Sequence, residues 1–460
     1  MLYEGIERHA GLFSEQTELR VQENRNRRVS LLNGDVQGNG TSSKGGVSAR
    51  VYREGVWGFS SLPDRDDASI ARAVESATLN ARFLAGRERR DTGRLPAARA
   101  SACHDLSTRK PRQSQKDLVD FTRAIDARLA SRRSDLLTRT VVLAGLDMEK
   151  VLLTSEGSIA HSLIPRTILM VAGSLPSPVG GTVELYEIFG GMGQFEDLFV
   201  DPESRYDDID GFLERLSRKA EGVYADAGLR DAVLGPDLAG ILAHEAIGHT
   251  VEADLVLGGS VAADFMGRKV ASELVTLVDF AHTALGRTCP VPTWVDDEGV
   301  ESRDAVLIDR GVLRSYMHNR ESAARFGVAP TGNARAYEFA DEPLIRMRNT
   351  AIMPGTSRLA DMIASIDDGY WFVRPSNGQA DSTSEFMFGV VEGYEIKRGK
   401  VRRALLDTTV AGVAFDMLKT VDAVSDDMTW TCGGMCGKKQ LIPVGMGGPA
   451  VRCKINVGGR

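Results

Sequence analysis

Alternation of apolar and polar side chains marks the first sixty residues. Val47-Ser48-Ala49-Arg50-Val51-Tyr52 alternates, and Glu54-Gly55 then turns the chain into Val56-Trp57-Gly58-Phe59. This predicts a hairpin among short strands over residues 18–60. The period then changes. Ile70, Ala73, Val74, Ala77, Ala81 and Leu84 recur at helical spacing across 66–86, as do Leu118, Val119, Phe121, Ile125 and Leu129 across 115–132. The stretch 88–112 between them is rich in Arg, Ala and Pro and reads as a loop. Strand-like segments follow near 138–146, 150–154, 166–173 and 182–188. With a helix near 207–226 they predict an N-terminal α/β domain, residues 1–227, with a largely antiparallel sheet.

The second half has another rhythm. From 268 on, short strands alternate with turns at Asp297-Glu298-Gly299, Asp309-Arg310-Gly311 and Lys397-Arg398-Gly399-Lys400, with brief helices near 319–326 and 357–367. Residues 228–460 therefore read as a mainly antiparallel β domain, barrel- or sandwich-like. The fold class is α+β, with a chemistry-bearing helix between the two parts. The edges of such sheets can accept an extended peptide as an added strand.

Composition narrows the function classes. The 42% apolar and 26% charged shares of 460 residues are those of an ordinary globular chain. A net charge of −7 argues against a phosphate-backbone partner, so no nucleic-acid contact is expected. No apolar segment approaches the ~20 residues that span a bilayer. The N-terminus lacks the cationic start and apolar block of a signal peptide, and the five scattered cysteines read as reduced thiols, so a cytoplasmic location is expected. Gly38-Asn39-Gly40-Thr41-Ser42-Ser43-Lys44 lacks the order of a phosphate-binding loop, and Gly190-Gly191-Met192-Gly193 opens no convincing helix; both read as turns.

The strongest chemical signal is His244-Glu245-Ala246-Ile247-Gly248-His249, two of only seven histidines flanking a glutamate in an apolar run. Imidazoles hold a catalytic metal, and an adjacent carboxylate takes a proton from its water. On a regular helix, five residues at about 100° each leave the two rings roughly 140° apart. Both reach one ion only if the helix widens into a π-turn or ends between them; Gly248 permits the latter. Pro236 sits well for the first turn. A catalytic zinc site takes a third protein ligand. Glu252 and the cysteines are candidates, Cys432 and Cys436 among them on a glycine-rich turn beside Lys438 and Lys439. Cys103, Cys289 and Cys453 read as small buried hydrophobes.

The His244–His249 segment is followed by Glu252 and Asp254, then in order by Pro330-Thr331-Gly332-Asn333, Arg346-Met347-Arg348-Asn349-Thr350 with Met353-Pro354-Gly355, Gly378-Gln379-Ala380-Asp381 with Phe386-Met387-Phe388, and Cys436-Gly437-Lys438 through Leu441-Ile442-Pro443-Val444-Gly445. Together these segments resemble the TldD branch of the TldD/PmbA (TldE) family. The resemblance implies a zinc peptidase acting on unfolded or extended polypeptide. It carries over His244, His249 and Cys436 as metal ligands and Glu245 as general base, and leaves Cys432 a bystander. It also implies a dimer, of two copies or with a motif-lacking TldE-like paralogue. Some members carry an older label as modulators of DNA gyrase. A peptide-binding subunit with a structural metal, or a protease maturing one precursor peptide, are the rival readings.

Overall fold

A computed structural model describes residues 2–87, 94–431 and 433–459. Part of the stretch read as a loop, 88–93, and Cys432 lie outside the described residues. The N-terminal sheet comprises β1 (Gln16–Leu32), β2 (Asp35–Arg53), β3 (Val56–Leu62), β4 (Ser101–Asp105), β5 (Thr138–Thr154), β6 (Ile159–Pro176) and β7 (Thr182–Met192), of which β1, β2, β5 and β6 are unusually long. Their order is β3-β2-β1-β5-β6-β4, with β7 also on β6; every pairing is antiparallel except β4 on β6. Asn33-Gly34 and Glu54-Gly55 make the two tight turns, all four residues at positive φ, as the twist of two-residue hairpins demands. Where short strands are expected over 18–60 and 138–173, continuous ones run instead. The expected loop contains β4, and the supposed turn 38–44 lies inside β2.

Two helices with the expected apolar phase cover one face of the sheet: α1 (Asp67–Ala85), capped by the Asp66 side chain, and α2 (Gln115–Arg132), with a Ser114–Asp117 capping box. Helix Tyr206–Ala220 joins them, shorter than the expected 207–226, and buries Ile209, Phe212, Leu213 and Leu216. Gly58 lets α1 press onto β3, since a Cβ there would meet the Ala77 carbonyl at 2.2 Å. Leu19, Val21, Leu143, Val151 and Leu169 supply the sheet side of these cores.

The opposite face of β1, β2 and β5 is polar yet buried, because the C-terminal half packs on it. Arg50 pairs with Glu18 at 2.8 Å and Glu298 at 2.5 Å, all three side chains at most 6% exposed, and its guanidinium lies 3.8 Å over the Trp57 ring. Gln22 and Asn24 donate to the Tyr337 carbonyl, and Lys150 bonds Asp297 at 2.6 Å. The burial of both faces hid the strand lengths. Polar residues that pattern alone assigns to solvent lie in the interface here.

The C-terminal half holds a closed five-stranded barrel. Strand β8 (Gly228–Leu234) lies between Asp368–Ala380 and Val451–Val457, followed by Thr408–Val413 and Glu385–Lys397, which closes back on 368–380. The seam between β8 and 368–380 is the one parallel pairing among the described strands of this otherwise antiparallel barrel. A second sheet runs Val312–Leu313, Ala305–Asp309, Leu277–Phe280, Asn349–Ile352, Gly445–Gly448 and Thr429–Thr431. Helices occur at Arg320–Phe326 and Leu359–Ala364, near the expected positions. The chemistry-bearing helix leaves the barrel directly from β8, and its Leu238, Leu242, Ile247 and Val251 join the barrel core. Cys289 and Cys453 are buried as expected, but Cys103 is exposed, since β4 is the outermost strand there.

The Arg50 network tests whether this buried ionic face holds the halves together. Arg50→Met strands Glu18 and Glu298 without their shared cation and is expected to cost about 3–5 kcal/mol. Chemical denaturation measures it. An unchanged midpoint would show that the network does not hold the two halves.

Candidate metal centre

The 236–251 helix resolves the five-residue spacing by changing its winding. It is α-helical over Pro236–Ile241, with the proline in the first turn, π-helical over Leu242–Gly248, and ends in a 3₁₀ turn, His249–Val251. The His249 amide donates to the His244 carbonyl, the five-residue bond that aligns the two side chains. Glycines permit the close packing this needs. A Cβ on Gly248 would sit 2.0 Å from the buried Met347 sulfur, and one on Gly240 would meet the Gly447 backbone nitrogen at 2.9 Å.

The two imidazoles face each other edge to face, ring centroids 5.2 Å apart. Cys436 approaches from a two-residue ladder with Ile442, its Sγ 3.4 Å from His249 Nε2. One ligand atom from each of His244, His249 and Cys436 lies within 4.8 Å of the others. Glu245 flanks the group, its carboxylate 3.6 Å from His249 Nε2 and 4.0 Å from His244 Nε2, and a quarter of its side chain is exposed. Glu252 takes another part. Its Oε2 lies 2.7 Å from His249 Nδ1, so the carboxylate accepts from Nδ1–H and leaves Nε2 facing Cys436.

Electrostatics favour an ionised sulfur here. Burial alone would raise the Cys436 thiol, but the His244 and His249 rings outweigh it and bring the pKa down to about 3. Burial opposes charge on His249, yet Glu252 and Cys436 push it up to about 10. Fully buried His244 has no hydrogen-bond partner for either ring nitrogen among the described residues. A buried polar group without a partner is destabilising by ~1–3 kcal/mol. Two imidazoles and a thiolate around it are a donor set suited to zinc. The residues fit the ion.

Sequence reasoning missed what holds Cys436 in place. Arg346 is fully buried and donates to the carbonyls of Cys436 at 2.7 Å, Lys438 at 2.9 Å and Gln440 at 2.8 Å. Lys438 then bridges back to the helix, to Glu252 at 3.2 Å and Asp254 at 2.8 Å. The neighbouring Arg348 is equally buried and pairs with Asp279 at 2.9 Å, steadying the short segment 346–348 that carries both arginines. The signal available beforehand was a pair of arginines flanking Met347 directly after Leu344-Ile345, charges that burial tolerates only with partners.

Arg346→Met removes all three donors from the Cys436 loop. In metal-free protein, alkylation of Cys436 by iodoacetamide is expected to change by about tenfold or more, the scale on which supporting shells act. An unchanged rate in a folded variant would show that the loop holds its place without the guanidinium.

Residues 228–459 match the family model of the PmbA/TldA metallopeptidase C-terminal domain, and residues 17–81 that of PmbA/TldA metallopeptidase domain 1. The chain is 30% identical over 451 residues to a metalloprotease of Methanothermobacter thermautotrophicus, covering 96% of this chain and 94% of that one. It is 33% identical over 285 residues to a zinc metalloprotease TldD homolog of Saccharolobus solfataricus, 60% of this chain and 62% of that one. Among solved structures, TldE from Thermococcus kodakarensis shares the fold over 99% of both chains, with a TM-score of 0.76 at 17% identity. Over the described residues no helix is long and apolar enough to cross a membrane. With a C-terminal family model spanning half its length and a full-length relative beside it, this chain belongs to the PmbA/TldD family of metallopeptidases.

Proposed function

We propose that this chain is a zinc-dependent peptidase of unfolded or extended peptides, with His244, His249 and Cys436 as metal ligands and Glu245 as general base. The observation that carries the reading is His244, buried with both nitrogens unpartnered among the described residues and within 4.8 Å of two further donors. Zinc, when bound, supplies Lewis acidity and lowers the pKa of a water held against it. Everything else falls to the chain. Glu245 lies beside both imidazoles with a quarter of its side chain exposed, and its carboxylate accepts the proton of the attacking water and returns it to the leaving amine. Glu252 fixes the tautomer of His249, and Lys438 and Arg346 hold Cys436 against the helix.

A purely structural metal would want a fourth protein ligand. Glu252 engages the far nitrogen of His249 and not the side that faces the cluster, which supports the enzyme reading over a peptide-binding subunit. We read the active assembly as a dimer, of two copies or with a TldE-like partner lacking the motif. The same chemistry serves general peptide turnover or the trimming of one precursor; a digest of a peptide library separates these by the breadth of its products.

Glu245→Gln is expected to keep the parental metal content while peptide cleavage falls by about 10²–10⁴-fold, the usual contribution of a general base. Cys436→Ser and His244→Ala are expected to lose the metal itself. Cleavage by the Gln variant at the parental rate would remove Glu245 from its role, and full metal content in both ligand variants would remove the site.

A further inference from the structure

The sheet face turned toward the C-terminal half carries a second concavity, which peptide hydrolysis does not use. Its floor follows from register. Lys150 pairs with Ser162, Met148 with Ile164 and Leu152 with Ala160 across β5 and β6, so these side chains share one face. The segment Pro290–Asp297 forms the roof, with the Trp294 ring stacked on His104 at a centroid distance of 3.7 Å. Met148, Ala160, Ile164 and Trp294 are half-buried, so apolar surface lines an opening. Such a cleft with a few convergent polar groups is the usual form of a small-molecule site.

The charged groups are mixed, with cations in excess. Lys150, Arg166 and Arg335 line the cavity, as do Asp296 and Asp297. Lys150 donates to Asp297 at 2.6 Å and to the Ala336 carbonyl at 2.8 Å, which leaves one of its three donors. Arg335, only 6% exposed, donates to the Met347 and Pro443 carbonyls and has no carboxylate within 4.0 Å among the described residues. Asp297 is shared with Arg20 at 3.5 Å. The oxygens of Asp296 accept the backbone amides of Glu298, Val300 and Ala334. Even with both aspartates ionised, the three lining cations exceed them by one. A buried cation without a counter-charge is costly, and an anion entering the cavity would relieve it.

We propose that this cavity binds a small apolar carboxylate, its hydrocarbon part between the Met148–Ile164 floor and Trp294 and its carboxylate at Lys150 and Arg335. Two sources share that chemistry: a free branched or aromatic acid, and the C-terminal residue of a peptide. The site connects to the Cys436 loop through Pro443. Pro443 lines the cavity, accepts from Arg335, and pairs with Met435, the residue before Cys436. The inference stands apart from the metal reading and is tested without metal.

Calorimetric titration of the full chain with N-acetyl-L-leucine, 4-methylpentanoate and N-acetyl-L-leucinamide tests it. At least one of the two acids is expected to bind about tenfold or more tighter than the neutral amide, a factor equivalent to ~1.4 kcal/mol. Tighter binding of N-acetyl-L-leucine identifies a peptide C-terminus as the source; tighter binding of 4-methylpentanoate identifies a free acid. Ala160→Phe, which fills the floor, is expected to abolish binding, and Lys150→Met to weaken it about tenfold. Absence of binding by both acids, an amide that binds as tightly as they do, or unchanged binding in both folded variants overturns the proposal. If neither variant folds, the comparison of ligands on the parental chain decides.

Discussion

The guanidinium of Arg346, buried beneath the 436–440 loop, is the constraint on which the rest of the centre depends. Cys436 and the histidine helix are about 190 residues apart in sequence, and chain entropy opposes their meeting. Three charge-assisted bonds from Arg346 to the Cys436, Lys438 and Gln440 carbonyls, with the Lys438 bridge to Glu252 and Asp254, fix the thiol against the helix. Glu252 is common to both sides, since it also orients His249. The loop and the helix are thus tied through one carboxylate before any ion is considered.

The helix makes its own concession. A π-turn is rare, and its widened ladder packs poorly unless a neighbour fills the gap. Here Met347 lies where a Gly248 side chain would project, and the Gly447 backbone abuts Gly240. Met347 sits between Arg346 and Arg348, so one short segment between two strands both packs the distorted helix and clamps the cysteine loop. The N-terminal sheet covers this arrangement through Tyr337, which accepts from Gln22 and Asn24 and packs on the small cluster around Cys436.

Legibility in the sequence followed locality. The π-turn was one of two solutions read from His244 and His249 spacing, because helix geometry is local. The phases of α1 and α2 and the Glu54-Gly55 hairpin were equally plain. Strand length was not, because Arg20, Gln22 and Asn24 are polar and yet buried, which alternation reads as solvent-facing. The parallel seam between β8 and 368–380, like strand β4 inside an apparent loop, depends on partners far along the chain. Among the site residues, Glu245 and the histidines stood out by pattern, whereas Cys436 was singled out from the other thiols by resemblance. Arg346 carried no chemistry that spacing could reveal, since its work is done on backbone carbonyls.

The proposed chemistry requires His244, His249 and Cys436 to converge on a single metal ion. X-ray absorption at the zinc edge of the metal-loaded protein addresses it directly. The prediction is one sulfur near 2.3 Å and two imidazole nitrogens at about 2.0–2.1 Å, with any further scatterer a light atom. A shell without sulfur, or one unchanged by Cys436→Ser, would contradict it.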